Sequence, residues 1–268
     1  MHQRPWLILH PFAAIGAAFT NLIRESGAMA LFFLDGIIRI PASPKQIPKI
    51  IHQMFFVGVK SLFVIALIGL FTGMVLGLQG YYTLVKFGSE GLLGAAVSLS
   101  LIRELGPVLT AIMITGRAGS AMAAELGVMR ITDQIDALTV MDIQPMTYLV
   151  APRMAACIIC FPLLTAVFDV VGILGGYLSG VVLLGINQGI YFYRIETSVA
   201  MADVMGGFCK SLTFALIMAT VCCFQGYFTH LRKDGQGPEG VSNSTTSAVV
   251  LSCVLILVFD YVLTSFLL

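Results

Sequence analysis

The chain has 268 residues, of which 58% are hydrophobic and only 11% charged, against roughly 45–50% and about 25% in an average soluble domain. So few charges cannot cover a water-facing surface. Fifteen Lys and Arg against fourteen Asp and Glu leave a net charge of +1, which excludes both the basic field of a nucleic-acid binder and an acidic disordered tail.

Crossing a hydrocarbon core of about 30 Å takes roughly 20 helical residues, so uncharged runs and the charges that bound them define the elements. In residues 1–52, an apolar run from Pro5 to Ile23 contains Pro11 and is followed by Arg24, Glu25, Asp35 and Arg39 among further apolar residues. That spacing predicts an N-terminal interfacial segment and not a span. Pro-rich residues from Pro41 to Pro48 form a hinge. Residues 53–268 then read as one five-span domain, and the overall prediction is an all-α integral membrane protein.

The first predicted span runs from Ser61 to Val85, between Lys60 and Lys86. The second covers Gly91 to Gly116 and is interrupted by Arg103 and Glu104. From Glu125 to Pro145 the chain is amphipathic: Ile131, Ile135, Leu138 and Met141 recur at helical spacing, with Asp133, Asp136 and Asp142 on the other faces. This predicts one short helix on the cytoplasmic side, suited to docking a soluble partner. The third span follows Arg153, carries Asp169 and reaches Gly185. The fourth runs from Ser211 to Thr229, and the fifth from about Thr245 to Leu268 with Asp260 inside it.

With the N-terminus cytoplasmic, Arg4, Arg24, Arg39, Lys45, Lys49, Lys60, Arg117, Arg130, Arg153, Arg232 and Lys233 lie inside and only Lys86 and Arg194 outside. This asymmetry fits the positive-inside rule, and five spans then put the C-terminus in the periplasm. Gly69, Gly73 and Gly77 in the first span, and Gly172, Gly176 and Gly180 in the third, place small residues on one face of each helix, as close packing in lipid requires.

The sequence offers no catalytic chemistry. No Gly-x-x-x-x-Gly-Lys-Ser/Thr is present, so any ATP that powers the protein is bound and hydrolysed by another subunit. Cys157 and Cys160 have the spacing of a metal motif but sit in an apolar helix without a second pair, and the four His are scattered. We expect neither a metal nor a cofactor. The charges inside spans are more informative, because each costs about 2.5–3.5 kcal/mol near the bilayer centre. Arg103 and Glu104 are adjacent, hence about 100° apart on a helix, and each needs a partner elsewhere. Asp203 and Lys210 are seven apart in the fourth span. Cross-helix pairing of the two sets is expected, either as a purely structural ion-pair set or as the polar part of a substrate cavity. Exchanging the charges at 104 and 210 is then expected to restore folding. Gly106-Pro107 follows and predicts a bend.

Several strings carry a family resemblance: Arg-Glu-Leu-Gly-Pro at 103–107, Gly-Arg-Ala-Gly-Ser-Ala at 116–121, Ala-Glu-Leu-Gly-Val-Met-Arg-Ile-Thr-Asp-Gln-Ile-Asp-Ala-Leu at 124–138 and Ala-Pro-Arg at 151–153. Leu-Gln-Gly-Tyr at 78–81 and Gly-Ile-Leu-Gly-Gly at 172–176 add to them. Over residues 50–268 the chain resembles the MlaE (YrbE-type) permeases of bacterial lipid-transporting ABC systems. The resemblance implies an inner-membrane homodimer between a cytoplasmic ATPase dimer and a periplasmic ring of MCE-domain proteins. Such an assembly moves phospholipids between inner and outer membranes and maintains outer-membrane lipid asymmetry. It further implies that Leu76, Leu78, Phe87, Arg103, Glu104, Asp203 and Lys210 surround a lipid cavity. Glu125, Arg130, Asp133, Asp136 and Leu138 would belong to a coupling helix within 125–142 that meets the ATPase. The competing reading is a self-contained secondary transporter or channel using the intramembrane charges as an ion relay, which usually shows two matching halves.

Overall fold

The computed structural model describes residues 6–40, 46–231 and 237–267. Arg4, Lys45, Arg232 and Lys233, used above for orientation, and positions 41–45 of the hinge lie outside them. The helices in chain order are α1 (Trp6–Ile38), α2 (Ile47–Val85), α3 (Glu90–Ile131), α4 (Gln134–Val140), α5 (Met146–Leu183), α6 (Gln188–Ser198), α7 (Met201–Tyr227) and α8 (Gly237–Leu267). Among the described residues there is no strand. Helices α2, α3, α5, α7 and α8 are each long and apolar enough to cross a membrane, and the chain is an all-α, multi-pass membrane protein.

All five spans extend beyond their apolar runs, α2 and α3 the furthest. Helix α2 has 39 residues and α3 has 42, about 58 and 63 Å at 1.5 Å per residue, twice the thickness of a hydrocarbon core. A charge ends the stretch that tolerates lipid, but it does not break backbone hydrogen bonding, so α2 starts at Ile47 instead of Ser61 and includes residues 47–52 of the predicted N-terminal segment. The extra turns meet beside a π-helical turn at Phe55–Val59. There the Phe56 carbonyl accepts from both terminal nitrogens of Arg117 at 2.9 Å, and Arg117 Nη1 also reaches Ser61 Oγ at 2.5 Å.

Helices α2 and α5 pack along each other with their backbones in contact. A Cβ at Gly73 would run into the carbonyl of Gly172, and one at Gly69 would stand 2.9 Å from the Phe168 carbonyl oxygen. Gly175, outside the predicted series, abuts the Leu70 carbonyl, whereas Gly180 turns to Leu93 of α3. The small face on α5 therefore follows both three- and four-residue steps, as helical geometry allows.

One end of the bundle gathers the α2 start, the α3–α5 connection and the α7–α8 connection. Arg39, just past α1, donates to Asp35 at 2.6 Å, to Gln144 and to Thr147 at 3.3 Å. Lys49 lies over the Tyr148 ring, and Arg130 Nε donates to His230 Nδ1 at 2.9 Å. Phe32 of α1 is buried against Phe224, Tyr227 and Phe228. At the other end Asn187 caps α6 by accepting from the Gly189 and Ile190 N–H groups. Buried Tyr191 ties that helix to α5 through a 3.0 Å bond to the Ile173 carbonyl. Burial holds the Tyr191 phenol well above its ordinary pKa.

Candidate functional site

Pro107 cannot supply the N–H that an α-helix would close on the Arg103 carbonyl four residues earlier. The chain answers with a π-helical turn over Leu101–Leu105, in which the Gly106 N–H bonds the Leu101 carbonyl, and the Arg103 carbonyl accepts instead from Lys210 Nζ at 2.9 Å. The predicted bend is thus a widened turn, a feature common at functional sites, and it delivers a backbone oxygen to a buried cation. Gly207 permits this approach, because a Cβ there would lie 2.6 Å from the Ile102 carbonyl oxygen.

The four charges expected to pair across helices do so. Arg103 meets Asp203 at 2.7 Å, and Lys210 meets Glu104 Oε2 at 2.7 Å. Two further groups from α8 complete the cluster. Thr264 Oγ1 accepts from Lys210 Nζ at 2.7 Å and lies 3.0 Å from Glu104 Oε1, and Asp260 Oδ1 lies 3.0 Å from Lys210 Nζ. Asp260 was visible in the sequence, but nothing there placed it near position 210.

The two cations differ in what they have left to give. The Lys210 side chain is 3% exposed; its three N–H groups are taken by Glu104, the Arg103 carbonyl and Thr264, and Asp260 adds charge without an aligned hydrogen bond. Lys210 therefore holds three helices together and has no donor for a ligand. The Arg103 side chain is 41% exposed; its Nε donates to Asp203 Oδ1, and Nη2 stands 2.7 Å from that same oxygen in the ion pair. Three of its five N–H groups remain for a ligand. Asp203 is itself fixed at the start of α7, where its other oxygen accepts from the Ala200 N–H at 3.0 Å, a carboxylate at the positive end of a helix.

Arg103, Glu104, Asp203 and Lys210 line a hollow of about 60 Å³ together with Ala202, in the first turn of α7, and Leu267, the last residue of α8. It opens at the end of the bundle away from the α3–α5 connection. Leu76, Leu78 and Phe87 do not line it in this protomer. Leu76 packs on the core, Leu78 is half-buried and Phe87 lies 77% exposed beyond the end of α2. Their helix is committed to α5, and the cluster is built by α3, α7 and α8.

At the opposite end, the single amphipathic helix predicted from 125 to 142 is not what forms. Residues 125–131 complete α3, and α4 follows as a separate seven-residue helix. Asp133 (φ 57°) and Asp142 (φ 59°) adopt left-handed backbone on either side of it, a conformation that Asp tolerates better than most residues. Glu125 is paired with nearly buried Arg153 at 2.7 Å. Arg130 is paired with Asp136 at 2.7 Å and bonds His230, whose imidazole is held below its usual pKa by burial and by Arg130. Leu138 packs inward. The surface left outward is Asp133, Asp136 and Met141, with Val140 at 88% exposure, a position the helical spacing had not marked.

The family described as Permease MlaE matches residues 50–266. A Haemophilus influenzae protein named "Intermembrane phospholipid transport system permease protein MlaE" is 38% identical over 97% of this chain and 98% of its own length. A Rickettsia bellii "Probable ABC transporter permease protein" is 39% identical over 96% of this chain and 98% of its own. Similarity extends to the Arabidopsis thaliana "Protein TRIGALACTOSYLDIACYLGLYCEROL 1, chloroplastic", 36% identical over 81% of this chain and 60% of that protein.

Proposed function

Because the chain belongs to the MlaE permease family, we propose that it is the non-catalytic membrane subunit of an ABC transporter that moves phospholipids between the inner and outer membranes and so maintains outer-membrane lipid asymmetry. The observation that carries this reading is Arg103, a partly exposed guanidinium with three free N–H groups in a pocket built within spanning helices. Such a group suits charge-assisted bonds to a phosphate, while the acyl chains stay among apolar side chains.

The pocket also argues for a second copy. About 60 Å³ is far below the roughly 300–1,000 Å³ of ordinary ligand sites, so a phospholipid needs more room than one protomer offers. In a homodimer the two polar clusters would face one cavity, with Leu76, Leu78 and Phe87 lining it across the interface. ATP and Mg would be bound by a cytoplasmic ATPase dimer, and MCE-domain proteins would receive the lipid in the periplasm. Purification from native membranes tests this reading: an ATPase subunit at 1:1 and bound phospholipid support it. A chain that purifies alone and conducts or takes up ions unaided would favour the secondary transporter.

Two further outcomes follow from the orientation. With the N-terminus cytoplasmic, the α3–α5 connection faces the ATPase, and Asp136 and Val140 are the contacts offered to it. Reversing a charge buried on docking costs on the order of 2–5 kcal/mol. Asp136→Lys should therefore insert normally but lose the ATPase on co-purification; retention of full association would remove Asp136 from the interface. A reporter active only outside the cytoplasm, fused after Leu268, should be active. A stable but inactive fusion would contradict the five-span orientation.

A further inference from the structure

We propose that the level at which α2 and α3 leave the membrane carries a lipid head-group site, where Arg117 and Lys60 hold the phosphate of an anionic phospholipid beside Phe56. Two π-helical turns meet there, Phe55–Val59 in α2 and Thr115–Gly119 in α3, and widened turns recur at functional sites. Arg117 joins them. It spends both Nη1 protons and one Nη2 proton on the Phe56 carbonyl and Ser61 Oγ, which leaves the Nε proton and the second Nη2 proton. These two lie side by side on the edge of the guanidinium that grips two phosphate oxygens at once. Nε has no partner among the described residues and is open to the surface. The ground beside it is clear, since Gly116 is exposed and a Cβ there would meet nothing within 4 Å. Lys60 is exposed, and its ammonium lies 5.5 Å from the centre of the Phe56 ring, against 5.2 Å for the Arg117 guanidinium.

No carboxylate answers these two charges. Among the described residues neither cation makes an ion pair; α2 contains no Asp or Glu, α3 has none from Leu105 to Ala124, and Glu125 is taken by Arg153. The uncharged run to Val85 begins immediately after Lys60, so the pair stands at head-group level, where lipid phosphate is the anion at hand. Phe63, Leu67 and Phe71 follow Lys60 at three- and four-residue steps and are all exposed. They form a strip for the acyl chain. A second copy is the other covering such a strip could have, but a two-fold contact would set this face against itself, cation toward cation with no acid on α2 between them. Leu76 lies about 24 Å farther along the helix, so a dimer that meets there leaves this end free. Binding here does not depend on transport, and only its leaflet, the cytoplasmic one, follows from the orientation proposed above.

The test is photolabelling of the full chain in nanodiscs of digalactosyl diacylglycerol, which carries neither phosphate nor charge. Trace phosphatidylglycerol or trace galactolipid, each with a photoreactive group near the head of one acyl chain, is added, and adducts are mapped on residues 56–71. Phosphatidylglycerol should label this segment about tenfold more than the galactolipid, as expected for charge-assisted bonds from two cations. Lys60→Gln removes an exposed side chain that makes no hydrogen bond, so the variant should fold, and its phosphatidylglycerol label should fall about fivefold. Equal labelling by the two lipids, or an unchanged label in Lys60→Gln, overturns the proposal. Loss of the label when inorganic phosphate replaces chloride at equal ionic strength would make the site one for a free anion and overturns it too. So does benzoylphenylalanine in place of Phe63 if it captures a second copy of the chain in place of lipid. Adducts at the Arg103 hollow are mapped separately, so failure here leaves the transport reading standing.

Discussion

Replacing Lys210 with Met is expected to cost about 3–5 kcal/mol, the loss that follows when a buried ion pair is deprived of one partner, and to prevent accumulation of folded protein. Lys210 is the sole cation bonded to Glu104, Thr264 and the Arg103 carbonyl among the described residues, and it lies beside Asp260. Its removal leaves two carboxylates close together with nothing between them. The same geometry changes the expectation for charge exchange. Glu104→Lys combined with Lys210→Glu restores a 104–210 pair, yet a carboxylate at 210 has no proton to give the Arg103 carbonyl and would face Asp260. The double variant should therefore stay unfolded, and adding Asp260→Asn should recover part of the yield. Thermal unfolding and monodispersity in detergent read this directly. Full recovery by the double exchange alone would show that the third helix contributes little.

Gly73→Val should be as damaging by a different route. A Cβ at 73 collides with the backbone of Gly172, and backbone cannot rotate away as a side chain can. Overpacking in a close-packed interior commonly costs about 1–3 kcal/mol, and here α2 and α5 must separate along their whole shared face. In water, new hydrophobic surface would offset some of that loss, but in lipid it brings little, because acyl chains are as apolar as Val. The same substitution at Gly116, where a Cβ would meet nothing within 4 Å, is the control and should fold normally. Equal yields of the two variants would mean that the small-residue face is not what joins these helices.

The residues that were legible in the sequence are those whose physics is local. Arg103, Glu104, Asp203 and Lys210 were identifiable because an unpaired charge in a span is too costly to keep, and the Gly69–Gly77 face because helical spacing fixes it. Asp260 and Thr264 escaped: pairing α8 with α3 depends on how far this fifth span slides along the bundle, which no local pattern records. The helix predicted across 125–142 failed because Asp133 and Asp142 look like the polar face of an amphipathic helix and are in fact its left-handed stops. Helix ends were misjudged at Lys60 and Arg117 because charge marks where lipid ends, whereas α2 and α3 continue through those residues. The unequal roles of Lys210 and Arg103 emerge only when each donor's partner is counted.

That inequality gives the most direct test of the account. The complete transporter, purified through this chain and reconstituted in vesicles, is assayed for ATP-dependent release of labelled phospholipid with Arg103→Gln beside the unaltered protein. Gln keeps a donor for Asp203 and removes the charge offered to a phosphate, so assembly and ATP hydrolysis should persist while lipid release falls about tenfold or more. Lipid release at the unaltered rate would contradict Arg103 as the group that holds the phospholipid head.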